Sequence, residues 1–194
     1  MLQKSTHIEP VFNEEKASQV AAIFIKLCGG TVNYMKLIKL MYLAERQALL
    51  DWGKPITYDS YFFLDKGPVL SNTLNKIKDR DRYNSQGSLY KYISVPENYD
   101  VSLREECDIK KLSKAERELL NKIFQKYGHY DEWELVDLLH SILPEWKDPS
   151  NSAIPISYRD ILKAGNKSEE EIECIEKEIS HACFAAKIFT TNNL

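Results

Sequence analysis

No apolar run in this sequence is longer than the six residues 20–25, and a membrane-crossing helix needs about 20. Residues 1–10 are polar where a secretory leader would carry an apolar stretch, so a cytoplasmic protein with no membrane partner is expected. Glycine and proline are scarce, seven of each in 194 residues, which excludes collagenous and low-complexity chains. Cysteine is scarce too. Cys28, Cys107, Cys174 and Cys183 include no CxxC pair, the spacing structural zinc sites usually supply, and they read as free thiols. Cys174, His181 and Cys183 fall within one helical segment, but Cys183 lies about 200° round from His181 at helical pitch, so no metal set is expected. Neither sign of charge dominates: 26 Lys+Arg face 29 Asp+Glu, a net of −3. There is thus no overall field to attract nucleic acid or anionic lipid. Phosphate loops, nucleophile elbows, HExxH and EF-hand patterns are all missing from the sequence, so neither a catalytic residue nor a cofactor is expected.

What is present is mostly helical spacing. Asn13 is placed to cap a helix over 14–28 whose Val20, Ile23, Phe24 and Leu27 recur at three and four residues, and Gly29-Gly30 stop it. Thr31 is expected to cap a second helix to about residue 51, with Leu37, Leu40, Met41, Ala44 and Ala48 inward. So short a turn predicts an antiparallel pair. The aromatic stretch 58–64 reads as a strand, and Gly67-Pro68 as the start of a helix over 69–80. A second strand is expected over 89–95, pairing across that helix rather than in a hairpin. Residues 96–111 show no period and read as irregular.

From residue 113 onward, Ser113/Glu116, Asp131/Glu134, Ser157/Asp160 and Ser168/Glu171 each place a capping side chain three residues before an acid. They predict helices over 114–127, 132–142, 158–164 and 169–189. The expected fold is mainly α (α+β), an antiparallel helical domain with a small accessory β-sheet. It is read as one domain over 14–189, between an N-terminal tail 1–13 and a C-terminal tail 190–194.

Three features carry chemical potential. His140 follows Asp137 by three residues and precedes Glu145-Trp146. A histidine positioned by a carboxylate is the smallest unit of general acid–base chemistry. At a helix end it also caps carbonyls and suits the dipole, and capping is the reading taken. The stretch 76–83 interleaves Asp79 and Asp81 with Lys76, Lys78, Arg80 and Arg82. Acids among the bases oppose phosphate binding, so it reads as a solvated helix end, and a nucleic-acid partner is not expected. In the last helix, six glutamates against two lysines over 167–178 make an acidic face behind an apolar stripe of Ile172, Ile175, Ile179, Ala182 and Ala186. Such a face speeds association with a basic partner. Eleven tyrosines further tilt the reading toward a binding module.

Three segments together resemble one family. They are Lys36-Leu37-Ile38-Lys39-Leu40-Met41-Tyr42-Leu43-Ala44-Glu45 followed by Gly53-Lys54-Pro55-Ile56; Tyr61-Phe62-Phe63-Leu64-Asp65-Lys66-Gly67-Pro68-Val69; and the helix 135–140, ending in His140, with Glu145-Trp146. In order and spacing they are similar to the Panacea, or SocA-like, antitoxin domain of bacteria, prophages and phages, over about 14–188. The resemblance implies a non-enzymatic antitoxin that neutralises a co-encoded toxin by protein–protein contact. One family branch delivers its toxin to the ClpXP protease, which makes ClpX the second implied partner. A nucleic-acid-binding regulator and a His140-dependent enzyme are the alternatives. Lys36, Leu37, Leu40, Tyr42, Gly67, Pro68, Val69, His140 and Trp146 are the motif positions, serving either scaffold or toxin contact. Tyr61, Asp65, Lys66, Glu170 and Glu173 are the expected partner contacts.

Overall fold

The computed structural model describes residues 11–79 and 86–191. Among them are eight helices and five short strands, so the fold is mainly α with a minor β component. The helices are α1 (Glu14–Leu27), α2 (Tyr34–Trp52), α3 (Ser71–Lys78), α4 (Ser88–Tyr92), α5 (Lys114–Tyr127), α6 (Glu132–Ile142), α7 (Tyr158–Ala164) and α8 (Glu169–Thr191). The strands are β1 (Thr31–Asn33), β2 (Tyr61–Leu64), β3 (Gly67–Leu70), β4 (Asp100–Ser102) and β5 (Ile154–Ile156).

The organising element is α2. Every residue over 37–45 is buried, as are Ala48 and Leu49. A helix enclosed on all sides belongs at the centre of a core, and α1, α5, α6, α7 and β3 pack round this one. Enclosure has a consequence: Lys39, Tyr42 and Glu45 are buried with the leucines, so their polar ends need partners inside the protein.

Helix starts follow local chemistry closely. Asn13 caps α1 through the Lys16 amide, and full capping boxes form at Ser113/Glu116, Asp131/Glu134 and Ser157/Asp160. Ser168 and Glu171 bond reciprocally at the start of α8. Thr31 is not a cap, however. It opens β1, and Asn33 caps α2 by accepting from the Met35 amide. The α8 stripe runs through Ile172, Ile179 and Cys183, while Ala182 is exposed. Ile175 packs against the core beside them, so the expected stripe holds over its first three positions and passes from Ala182 to Cys183 at its end.

The β-structure departs furthest from expectation. Gly67-Pro68 begins a strand, not a helix, and β2 and β3 form a hairpin across Asp65-Lys66 with Phe63 opposite Pro68. Gly67, at φ +88°, supplies the left-handed residue that closes the turn. On its other side β2 pairs with β5, Tyr61 opposite Ile156. The sheet order is therefore β3-β2-β5, and each edge strand holds a proline, Pro68 or Pro155. Proline has no N–H to donate, so it is tolerated at edges and discourages further strand addition. The expected strand over 89–95 is largely α4. Within 96–111, expected to be irregular, β4 pairs with β1 (Val32 opposite Val101). Helix α3 starts at Ser71 rather than 69, and its amide end is held by Asp59, which accepts from the Asn72 and Thr73 amides and the Thr73 hydroxyl.

No helix among the described residues is long and apolar enough to cross a membrane.

Candidate functional site

Several residues of the motif segments meet around α2. Nearest its C-terminal half, Glu45 is 1% exposed and accepts from the Ile56 amide (2.9 Å), the Thr57 amide (2.9 Å) and the Tyr61 hydroxyl (2.8 Å). Burial outweighs these donors and pushes its carboxyl up to about 7. Beside it, Arg46 grips both oxygens of Glu145, Nε at 2.6 Å and Nη2 at 3.0 Å, and the Tyr42 hydroxyl donates to the same carboxylate at 3.3 Å. Glu145 arrives on the loop after α6 and is buried.

One turn before Tyr42 lies Lys39, 1% exposed. Its Nζ donates to the Pro68 carbonyl at 3.0 Å. Burial, and then the ammonium of Lys66, lower it to about 7. His140, at the end of α6, stacks on Trp146 with centroids 4.0 Å apart and planes 19° apart, and Trp146 and Phe63 lie nearly perpendicular with centroids 5.0 Å apart. Burial and Lys39 lower His140 as well. Gly67 sits between these two basic groups: a Cβ there would lie 3.3 Å from Lys39 Nζ and 3.4 Å from His140 Nε2. Glycine is needed both for its φ and for this approach. Gly67→Ala is expected to lower stability by about 1–2 kcal/mol, read as a fall in the midpoint of thermal unfolding.

The sequence-predicted residues take definite positions in this arrangement. Leu37, Leu40 and Tyr42 are core; Val69 and Pro68 pack from the hairpin. Lys36 donates to the Gly128 carbonyl at the end of α5 (2.8 Å). The His140–carboxylate pair that the alternative enzyme reading requires is not formed. Glu145 is turned to Arg46, and His140 Nε2 has no hydrogen-bond partner among the described residues. Tyr61, expected to contact a partner, is 3% exposed with its hydroxyl on Glu45, because it faces inward from β2.

Asp65 and Lys66 do stand exposed at the hairpin tip. They border an open groove of about 550 Å³ between the hairpin, the start of α2 and the start of α6. Ile38 and Lys39 line it from α2, and Trp133, 54% exposed, lines it from α6. Lys66 Nζ lies 4.6 Å over the Trp133 ring. Tyr34 and the 67%-exposed Tyr99, with centroids 6.0 Å apart, extend the aromatic lining. Exposed aromatic surface of this kind marks contact sites. Sequence reasoning missed Trp133, which a capping segment hides. Lys39 and Glu45 stand in the motif segment 36–45, and charges at core positions of a helix are the sequence signal of a buried network.

Glu170 and Glu173 are exposed on α8 and do not line the groove. The acidic face is partly neutralised: Arg159 pairs with Glu169 and Glu176, and Lys167 with Glu171. In the mixed stretch, Lys76 pairs with Glu14 at 3.0 Å; residues 80–85 lie outside the described residues. The cysteines are free, and no group of three metal-ligating side chains gathers among the described residues.

The domain is mainly helical, with a network of buried charges on α2 and an exposed aromatic groove beside the β2–β3 hairpin. The chain belongs to the SocA-like antitoxin family: the model of the "Antitoxin SocA-like, Panacea domain" matches residues 37–147. That span takes in most of α2, the hairpin, α6 and Trp146. Neither the curated proteins nor the solved structures yielded a match.

Proposed function

We propose that this protein is the antitoxin of a bacterial or phage toxin–antitoxin pair, acting in the cytoplasm by direct binding of a co-encoded toxin. Family membership carries the reading, and the aromatic groove beside the motif hairpin supports contact as its means. Residues 14–189 serve as one domain in this reading, since α1 and α7 pack on α2 and α8 packs on α7. The motif residues act as scaffold: Gly67, His140 and Trp146 hold the hairpin that forms one groove wall.

The test is co-expression with the adjacent gene. Growth inhibition by that gene alone, relief on co-expression, and copurification of the two products are the expected results. A harmless neighbour that does not copurify sinks the reading. Relief that persists in cells lacking ClpX separates plain sequestration from delivery to a protease.

A further inference from the structure

The charges around the groove are unevenly matched. Its two acids are engaged within the chain: Glu132 accepts from the Asn33 side-chain amide at 3.1 Å, and Asp65 accepts from the Asn151 backbone amide at 2.9 Å. Its three lysines are Lys39, Lys66 and Lys78. Lys39 has three N–H donors and gives one to Pro68, and Lys66 leans on Trp133; neither meets a carboxylate within ion-pair distance among the described residues. A cation held out of water without a counter-charge is costly, and a second cation beside it adds to the cost. Around these lysines the groove is apolar and aromatic, through Ile38, Leu64, Leu74 and Trp133.

We infer that the groove receives an acidic, apolar segment of the partner protein, its hydrophobic side chain against Trp133 and Ile38 and its carboxylate between Lys39 and Lys66. This rests on the antitoxin reading and names the chemistry of the contact that reading requires. Nucleic acid is the less suited occupant, because Ile38, Leu64, Val69 and Leu74 line the groove between its few lysines, a surface that suits a hydrophobic side chain and leaves a run of phosphates largely unneutralised.

A carboxylate seated there also alters proton binding. In the free protein Lys39 is half-protonated near pH 7, under the influence of burial and Lys66, with His140 facing it across Gly67. Asp65, Lys78 and Glu132 are the other charged groups of the groove. An incoming anion favours the charged lysine, so association takes up protons just above neutral pH.

The experiment uses the intact chain and the purified product of the adjacent gene. Lys66→Glu and Trp133→Ala, both at exposed positions, should leave the thermal midpoint within a few degrees of wild type and each weaken binding about tenfold or more. Calorimetry at pH 8 in buffers of different ionisation enthalpy should show proton uptake with wild type and none with Lys39→Met. If Lys39→Met does not fold, the two exposed variants decide the matter. Wild-type affinity in both folded variants overturns the groove assignment and leaves the antitoxin reading standing. Failure of the wild-type chain to bind the neighbour removes both. A single-stranded RNA 20-mer shifted by wild type but not by Lys66→Glu assigns the groove to nucleic acid and overturns the peptide.

Discussion

Glu45→Ala is expected to destabilise the protein by about 4 kcal/mol. The substitution strips three donors, the Ile56 and Thr57 amides and the Tyr61 hydroxyl, of their common acceptor in a site closed to water. Each buried unsatisfied group costs roughly 1–3 kcal/mol, and the vacated side-chain volume adds a cavity term. For a chain of this size the thermal midpoint should fall by roughly 8–16 °C. A shift below 3 °C would show that the segment 56–61 is not held through Glu45.

The same residue gives a pH signature of definite sign. Its carboxyl is raised from an ordinary 4.5 to about 7 in the folded protein, so the native state holds the proton more tightly than the unfolded chain. Its contribution is full below pH 4.5 and is lost as pH rises through about 7, a span of about 3 kcal/mol. Lys39 behaves in the opposite way. Lowered from 10.5 to about 7, it burdens the fold below pH 7, and the burden lifts as pH rises from there toward 10.5. The two contributions together make a minimum near neutrality. Chemical denaturation across pH 4–10 should show the acid limb flattened in Glu45→Gln and the alkaline limb flattened in Lys39→Met. Unchanged profiles in both variants refute the assignment.

Glu145→Ala is the second large effect, expected to cost about 3 kcal/mol. The carboxylate is 1% exposed at its side chain and serves two partners. Removing it leaves the Arg46 guanidinium mostly enclosed without a counter-ion and the Tyr42 hydroxyl without an acceptor. Breaking one half of such a pair costs more than the pair is worth, because the surviving charge stays buried. The double variant Arg46→Met with Glu145→Met should therefore lose much less than the losses of the single variants Arg46→Met and Glu145→Met added together. Urea unfolding of all four proteins measures this coupling; strict additivity would mean the pair does not interact.

These effects sit where sequence reasoning was weakest. Helix limits at 114–127, 132–142 and 158–164 were legible to the residue, because the signal for each start lies within four residues of it. The family was legible for a related reason: its motifs are short segments whose order survives in the linear chain. The strands were not. Three- and four-residue strands are too short for alternation to show, and Gly67-Pro68 fits a helix start as well as a hairpin. Which use prevails depends on Tyr61 and Phe63 having Leu70 and Pro68 across from them and β5 beyond.

The site divides along the same line. Composition and local pattern sufficed for a helical, weakly charged domain, for its caps, and for the inward stripe of Leu37, Leu40, Met41, Ala44 and Ala48. They carried no information on where a charge finds its partner. Glu145 lies five residues from His140 in the chain yet binds Arg46, 99 residues away, and Lys39 meets a carbonyl 29 residues on. Capping chemistry acts across one helical turn, so it is written locally. The pairing of buried charges, and the groove that brings Lys66 over Trp133, come from elements that meet only when the core closes round α2.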